Sequence, residues 1–344
     1  MPDIEGIFED SLLALFNHRP IAFSTPGPDE PYAYAPSPIR YLDGTPVHLP
    51  RSKTYAQEGP HVDVDLPVAP PGLHTTLQLT HIWLSSILLS DLVTHGCISV
   101  HGARICELGA GAGLPGIVAA CSGARAVVST DYAVPSSVSE QDEDGRRRRR
   151  RRRANATDVL GILRGNFHRA LARHAQQGGG DDDDDDNDDD DEDDDDDGDD
   201  AWHVLGHTWG EPVRDLLTSC TPAHVPEKFH TILCADLLWT TSAHAALITS
   251  LTALLAPQGG IVHMVAGLHQ GRGAVDRFRR AWVERTAGWI EDVFEVQWGR
   301  DGWEVLRDWR EGREARKGDC AEAEDEHGTV VYFRIGLRDD PSIR

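Results

Sequence analysis

The sequence contains no apolar run near the roughly 18 residues that a membrane-crossing helix needs, and no basic-then-apolar secretion pattern at its start. It also has no C-x-x-C pair. Its six cysteines (Cys97, Cys106, Cys121, Cys220, Cys234 and Cys320) are scattered, several of them in apolar runs. That spacing excludes a zinc pattern and a dense disulfide framework, so no metal is expected. Free cysteines in apolar runs behave as small core residues, which fits a reduced, cytoplasmic protein. A basic surface is missing as well. The formal net charge is −24, and removing the 18 acidic residues of Asp181–Asp200 and the eight arginines of Arg146–Arg153 still leaves −14. Such acidity argues against a nucleic-acid partner, whose phosphates require cations. It suits a basic protein partner better.

What is present is enough for a sizeable core: 344 residues, 40% of them apolar. A short helix is expected within residues 1–19, where Phe8, Leu12, Leu15 and Phe16 recur at helical spacing. From Pro20 to Pro71 prolines are too frequent for a long helix. Tyr32–Tyr34 and Ile39–Tyr41 read as short extended pieces wrapped on the core. Residues 1–72 are therefore taken as a Pro-rich N-terminal extension, and 73–344 as the main domain, expected as a monomer.

Thr75–Thr94 reads as one helix. Strands then alternate with helices: strands at Ala103–Leu108, Ala126–Asp131, Trp202–His207, His230–Asp236 and Ile261–Ala266, with helices between them. Further strands are expected at Val293–Trp298 and Val330–Leu337, closing the sheet as a hairpin with an antiparallel member. Alternation of this kind predicts a mostly parallel α/β sheet with helices on both faces. Two charged stretches, at about 136–156 and 176–200, cannot bury apolar surface and are expected to be disordered insertions. The arginine run is open to two readings, a solvated tail or a nuclear-import or nucleic-acid patch.

The segment Arg104-Ile-Cys-Glu-Leu-Gly-Ala-Gly-Ala-Gly-Leu-Pro-Gly116 joins a buried strand to a helix. Glycines 109, 111 and 113 permit a sharp turn and a close ligand approach, and the following helix aims N–H groups at that place. Asp131 ends the next strand, within reach of ribose hydroxyls in a doubly wound sheet. Gly111, Gly113 and Gly116 also spell the dinucleotide fingerprint, which makes an NAD-dependent oxidoreductase the rival. Glu107 at the strand end would repel a pyrophosphate but attract a sulfonium and an ammonium. Pro115 removes an N–H that a pyrophosphate would use. S-adenosylmethionine is the ligand these features favour.

Three further pieces join the turn: His81-Ile-Trp83-Leu-Ser, Gly206-His-Thr-Trp209-Gly210, and Ala235-Asp236-Leu-Leu-Trp239 followed by Thr241-Ser-Ala-His244. Together they resemble family 16 of the seven-strand methyltransferases, in its fungal nicotinamide N-methyltransferase-like branch. That branch includes the enzyme that methylates the N-terminus and a nearby lysine of translation elongation factor 1-alpha. The resemblance runs from about Leu73 onward, outside the two insertions. It departs at Trp239, where Tyr or Phe is usual, and at His207, which replaces a common aromatic.

The resemblance implies a class I, Rossmann-like fold with a seven-stranded sheet. It implies an S-adenosylmethionine site lined by Trp83, Gly109, Gly111, Asp131, Trp209 and Ala235, beside which Glu107, Ala110 and Gly113 belong to the turn. Trp209 offers a wall for adenine and Trp83 a cation–π partner for the sulfonium; plain core packing is the alternative for both. Asp236 and Trp239 stand at the end of the fourth strand as the acceptor-side, catalytic candidates, with His244 and His269 as exposed-loop candidates. A carboxylate that only holds a loop or caps a helix is the alternative for Asp236. Three functions follow: N-methylation of a protein, N-methylation of a small pyridine such as nicotinamide, and a non-catalytic binding module.

Overall fold

The structure is a computed structural model and describes residues 31–41, 59–67, 81–132, 159–178, 201–222, 225–268, 270–299, 302–309 and 328–338. The expected helix within 1–19, both charged insertions apart from their edges, and His269 lie outside these residues. Among the described residues the chain forms strands β1 (Tyr32–Tyr34), β2 (Ile39–Tyr41) and β3 (Val62–Val64), then helix α1 (Leu84–Thr94). The alternating part follows: β4 (Arg104–Leu108), α2 (Leu114–Cys121), β5 (Ala126–Asp131), α3 (Val159–Gly178), β6 (Trp202–Gly206), α4 (Arg214–Thr218), β7 (Thr231–Ala235), α5 (His244–Leu254), β8 (Ile261–Gly267) and α6 (Arg272–Thr286). Three strands close it: β9 (Trp289–Gly299), β10 (Gly302–Asp308) and β11 (Thr329–Gly336).

Nine strands form the main sheet, in the order β2-β10-β9-β11-β8-β7-β4-β5-β6. β6, β5, β4, β7 and β8 run parallel. β11 enters antiparallel between β8 and β9. Numbered from β4 and leaving out β2 and β10, the order reads 3-2-1-4-5-7-6, with the seventh strand reversed. The succession of strands reverses at β4, with β5 on one side and β7 on the other, the arrangement in which ligands bind at the carboxyl ends of the strands.

Both faces of the sheet are covered, so β7 reads as a nearly continuous apolar run and every residue of β4 is buried, Arg104 and Glu107 included. Helices α1, α2 and α3 close one core, with Leu88, Leu89, Ile117, Leu163 and Phe167. Helices α4, α5 and α6 close the other, around Phe229, Leu251, Phe278 and Trp282. Each such fully buried side chain contributes about 1.5–3 kcal/mol before entropy is counted. At the amino edge the buried Arg104 guanidinium lies 3.9 Å from the Phe229 ring centroid and donates to the carbonyls of Leu216, Ser219 and Glu227. That edge is sealed by structure, and the carboxyl edge is left for chemistry.

Two expectations need correction. The sheet has nine strands, because β10 forms a hairpin with β9 and β2 adds parallel to β10. The seven-residue β10 segment, Gly-Trp-Glu-Val-Leu-Arg-Asp, had been absorbed into a polar loop because its charges break the apolar run. The two expected closing strands do pair antiparallel, as β9 and β11, and β10, which lies between them in the chain, forms a tight hairpin with β9 on the other side. Of the helix expected over Thr75–Thr94, residues 75–80 lie outside the described residues and 81–83 are not helical; the helix runs from Leu84, with Trp83 as its extended N-cap (φ −80°, ψ 145°).

Candidate active site

Leu108 ends β4, and the chain reverses through Gly109, Gly111 and Gly113 with φ of +63°, +55° and +83°, a region costly for other residues. The three glycines differ in what surrounds them. A Cβ on Gly109 would overlap Leu237, and one on Gly113 would overlap Leu163 and press Phe167. A Cβ on Gly111 would meet nothing within 4 Å. Gly109 and Gly113 are therefore fixed by packing, whereas Gly111 faces open space at the carboxyl edge. Ala110 is buried, its N–H donating to the Thr130 carbonyl at 2.9 Å. Gly113 is the N-cap of α2, and Pro115 lies in the first turn, where its missing N–H costs nothing.

Asp131 ends β5 and locks the turn. Its Oδ2 accepts from Gly111 N–H at 2.7 Å and its Oδ1 from Tyr132 N–H at 2.7 Å. Each carboxylate oxygen retains acceptor capacity for a hydroxyl. Burial pushes this carboxyl above its ordinary value, and the two N–H groups oppose the shift.

Glu107 sits beneath the turn rather than in front of it, 2% exposed. Its Oε2 accepts from Ser129 Oγ at 2.6 Å, and Gly116 N–H also serves it. Burial raises its pKa to about 8 against those two donors. Its influence on a ligand therefore runs through the shape of the turn, not through an exposed charge.

At the end of β7, Ala235 is half-buried and Asp236 takes a left-handed conformation (φ +57°), unusual for a residue other than glycine. Asp236 is pinned: its N–H donates to the Val265 carbonyl at 2.8 Å, and its Oδ1 accepts from Gly267 N–H at 2.9 Å. Leu237 then turns onto Gly109, joining this loop to the glycine turn. Trp239 follows, half-buried. His244 is buried, not exposed as expected; its Nε2 bonds the Leu238 carbonyl at 2.9 Å, and its ring meets Phe278 edge-on. It holds the loop from behind.

After β6, half-buried Trp209 packs on the second core. The segment carrying it is tied to α5 through Ser250, whose Oγ bonds His207 Nε2 at 2.9 Å and accepts from Gly210 N–H at 2.8 Å. Trp83, half-buried and 5.9 Å from the His81 ring, stands at the start of α1. Because α1 leads back to the amino end of β4, that start also lies at the carboxyl edge. The glycine turn, Asp131 and the Ala235–Trp239 loop thus follow the carboxyl ends of β4, β5 and β7. They are joined through Gly111 with Asp131 and Gly109 with Leu237. Among the described residues, no group of three or more His, Cys, Asp or Glu is placed to hold a metal ion.

No family model matches the chain. Over 84 residues it is 38% identical to protein N-terminal and lysine N-methyltransferase efm7 of Schizosaccharomyces pombe, covering 23% of this chain and 33% of that protein. It is 25% identical over 226 residues to the EFM7 protein of Gibberella zeae, with 65% of each chain covered. To that of Yarrowia lipolytica it is 27% identical over 264 residues, covering 74% of this chain and 83% of the relative. The chain therefore spans 33% and 65% of the length of the first two.

In sequence the chain is similar to these EFM7 proteins, and in fold it is a mostly parallel α/β sheet with helices on both faces. Strand order carries the fold. Crystal structures of ribosomal protein L11 methylase from Lactobacillus delbrueckii subsp. bulgaricus (14% identity, 88% of this chain and 93% of that one, TM-score 0.38) and of Trm5b from Pyrococcus abyssi (11% identity, 82% and 55%, TM-score 0.37) are distant likenesses. Besides the anticipated residues, this edge is held by supporting groups. Four escaped the sequence reading: Ser129, Asn166, Ser250, and Gly116 as the space for Glu107. Each looked like an ordinary polar or small residue inside a helix or strand, where only three-dimensional partners reveal a role.

Proposed function

We propose that the chain is an S-adenosylmethionine-dependent N-methyltransferase whose acceptor is a protein amine, an N-terminal α-amino group, a lysine or both, on translation elongation factor 1-alpha. The observation that carries this reading is the similarity to relatives named protein N-terminal and lysine N-methyltransferase, extending over 74% of the chain in one case. The open face of Gly111 beside Asp131 supports the cofactor, since it leaves room where a backbone must approach a ligand. We extend the reading to a cytoplasmic monomer with a catalytic domain from 73 and an extension before it. No helix among the described residues is long and apolar enough to cross a membrane.

In this reading S-adenosylmethionine supplies an activated methyl group on a sulfonium. Gly111 and Ala110 bring backbone close to it. Asp131 receives ribose hydroxyls while holding the turn, and Trp209 walls the adenine. Glu107 and Gly113 keep the turn in shape, while Trp83 and Ala235 border the ligand. The acceptor amine must arrive neutral and in line, so most of the rate comes from positioning. Asp236 and Trp239 stand on the loop that faces it. Asp236 orients the amine with whatever acceptor capacity Gly267 leaves, and Trp239 excludes water.

The test is transfer of labelled methyl from S-adenosylmethionine into purified elongation factor 1-alpha and into a lysate split into protein and small-molecule fractions, with Asp131→Ala as control. Label in the factor, absent with the control, is the expected result. Label only in small molecules would transfer the assignment to a pyridine acceptor.

A further inference from the structure

Asn166, on α3, touches neither a ligand nor solvent, yet all the hydrogen-bonding capacity of its side chain is used. It is fully buried. Its Nδ2 donates to the Ala112 carbonyl of the glycine turn at 2.9 Å and to the Asp65 carbonyl at 2.9 Å. Its Oδ1 accepts from Asp65 N–H at 2.9 Å and from Arg169 Nη2 at 2.7 Å. One amide thus mimics a backbone partner for Asp65, just after β3, and holds the turn that approaches the cofactor. Around it α3 seats both neighbours: Leu163 and Phe167 lie against Gly113, and Arg169 and Arg173 pair with Asp65 and Asp63. Those two ion pairs are exposed and add little. The half of the amide bridge that reaches Ala112 is buried, so losing it leaves a buried carbonyl without that donor, while the half that reaches Asp65 is part-buried.

We propose that Asn166 is a positioning residue that couples the N-terminal segment Val62–Asp65 to the cofactor turn, so that order in one favours order in the other. The inference rests on the cofactor reading above. A ligand that fixes the Ala110–Gly113 turn fixes the Ala112 carbonyl, and through Asn166 the backbone of Asp65. By linkage, an intact Val62–Asp65 segment strengthens cofactor binding by the same factor. Coupling of this kind is typically about 5- to 150-fold, and tenfold is a reasonable expectation for one two-sided bridge.

The experiment uses the full chain with S-adenosylhomocysteine as probe. Binding is read by calorimetry, and backbone amide exchange is read over Val62–Asp65 with and without the probe. In the unmodified protein the probe is expected to slow exchange at Asp65, whose N–H is held by Asn166 itself. In Asn166→Asp, which keeps the shape but replaces two donated hydrogens by acceptor capacity, affinity is expected to fall about tenfold, and the effect on Asp65 is expected to vanish. Arg173→Ala, which breaks only the exposed ion pair to Asp63, is expected to leave both readouts near those of the unmodified protein. Probe binding with no change at Asp65 in the unmodified protein overturns the coupling, however the variant folds. A properly folded protein that does not bind the probe overturns the cofactor reading, and the coupling with it.

Discussion

Gly113 and Gly116 lie three residues apart at the start of α2, and both would be filled by a Cβ, but against different neighbours. At Gly113 the obstacle is the Leu163 side chain, and φ is left-handed as well. At Gly116 the backbone is ordinary, and the obstacles are Glu107 Oε2 and Ser129 Oγ, which bond each other. Gly116→Ala is therefore expected to cost about 1–3 kcal/mol by overpacking, with the Glu107–Ser129 bond pushed apart. Urea unfolding of the variant against the parent measures it. Asp236 offers a contrasting case. Its left-handed φ is one that Asn tolerates well, and an Asn Oδ1 still accepts from Gly267 N–H. Asp236→Asn is expected to unfold within about 0.5 kcal/mol of the parent, whereas Asp236→Ala loses about 1–2 kcal/mol through the vanished bond and the strained backbone. Methyl transfer by the stable Asn variant then isolates the charge: unchanged turnover would remove the carboxylate from the chemistry and leave Asp236 as a holder of the loop.

Elements meet most sharply at Asp91 on α1. Its Oδ1 accepts from Tyr34 Oη at 2.7 Å and from Ser37 N–H at 3.0 Å, and its Oδ2 from Trp303 Nε1 at 2.6 Å. One carboxyl thereby joins the first short strand, the helix before the glycine turn, and the β9–β10 hairpin. His95 adds a bond from its Nε2 to the Ser37 carbonyl. Trp303→Phe removes one donor and shrinks the fully buried ring, and is expected to destabilise by about 2–4 kcal/mol, because it leaves a buried oxygen short of a partner and a void beside it. Thermal unfolding of the variant measures this. The same junction explains what was readable in the sequence. Strands β4, β5, β7 and β8 were legible because short, mainly apolar segments ended at glycines or acids. Tyr32–Tyr34 and Ile39–Tyr41 were legible because aromatics broke a proline-rich stretch. β10 was not, since its stability comes from Trp303 against Trp298 and from Asp91, more than 200 residues away in sequence. Nor was His244, whose place beneath Leu238 depends on how the strand end turns after the left-handed Asp236. The carboxyl-edge site was legible for its backbone signals, and its supporting side chains were not.

For the molecule as a whole, the buried carboxyls set how stability responds to pH. Burial raises Asp91 to about 7 and Glu107 to about 8, and lifts Asp131 in the same direction. In the unfolded chain these groups release their protons near pH 4. Between about pH 4 and the raised values the folded state holds more protons than the unfolded one, so stability falls as pH rises through that window. Their contribution is most favourable below pH 4 and is fully lost above about 8. His263, held neutral by burial with its pKa lowered to about 3, acts in the opposite sense and opposes folding below pH 6. The expected profile is a maximum on the acid side of neutrality, followed by a decline toward pH 8. Each raised carboxyl adds at most about 1.4 kcal/mol per pH unit to the slope. Glu107→Gln keeps an acceptor for Ser129 and cannot ionise, so it is expected to flatten the decline between pH 6 and 8. Chemical denaturation at a series of pH values, parent against variant, gives the slopes directly. Parallel slopes would mean that Glu107 is already ionised in the folded protein at neutral pH, held so by Ser129 and the Gly116 N–H. The turn would then carry a negative charge under the cofactor site, and the electrostatic attraction read from the sequence would return as a working part of it.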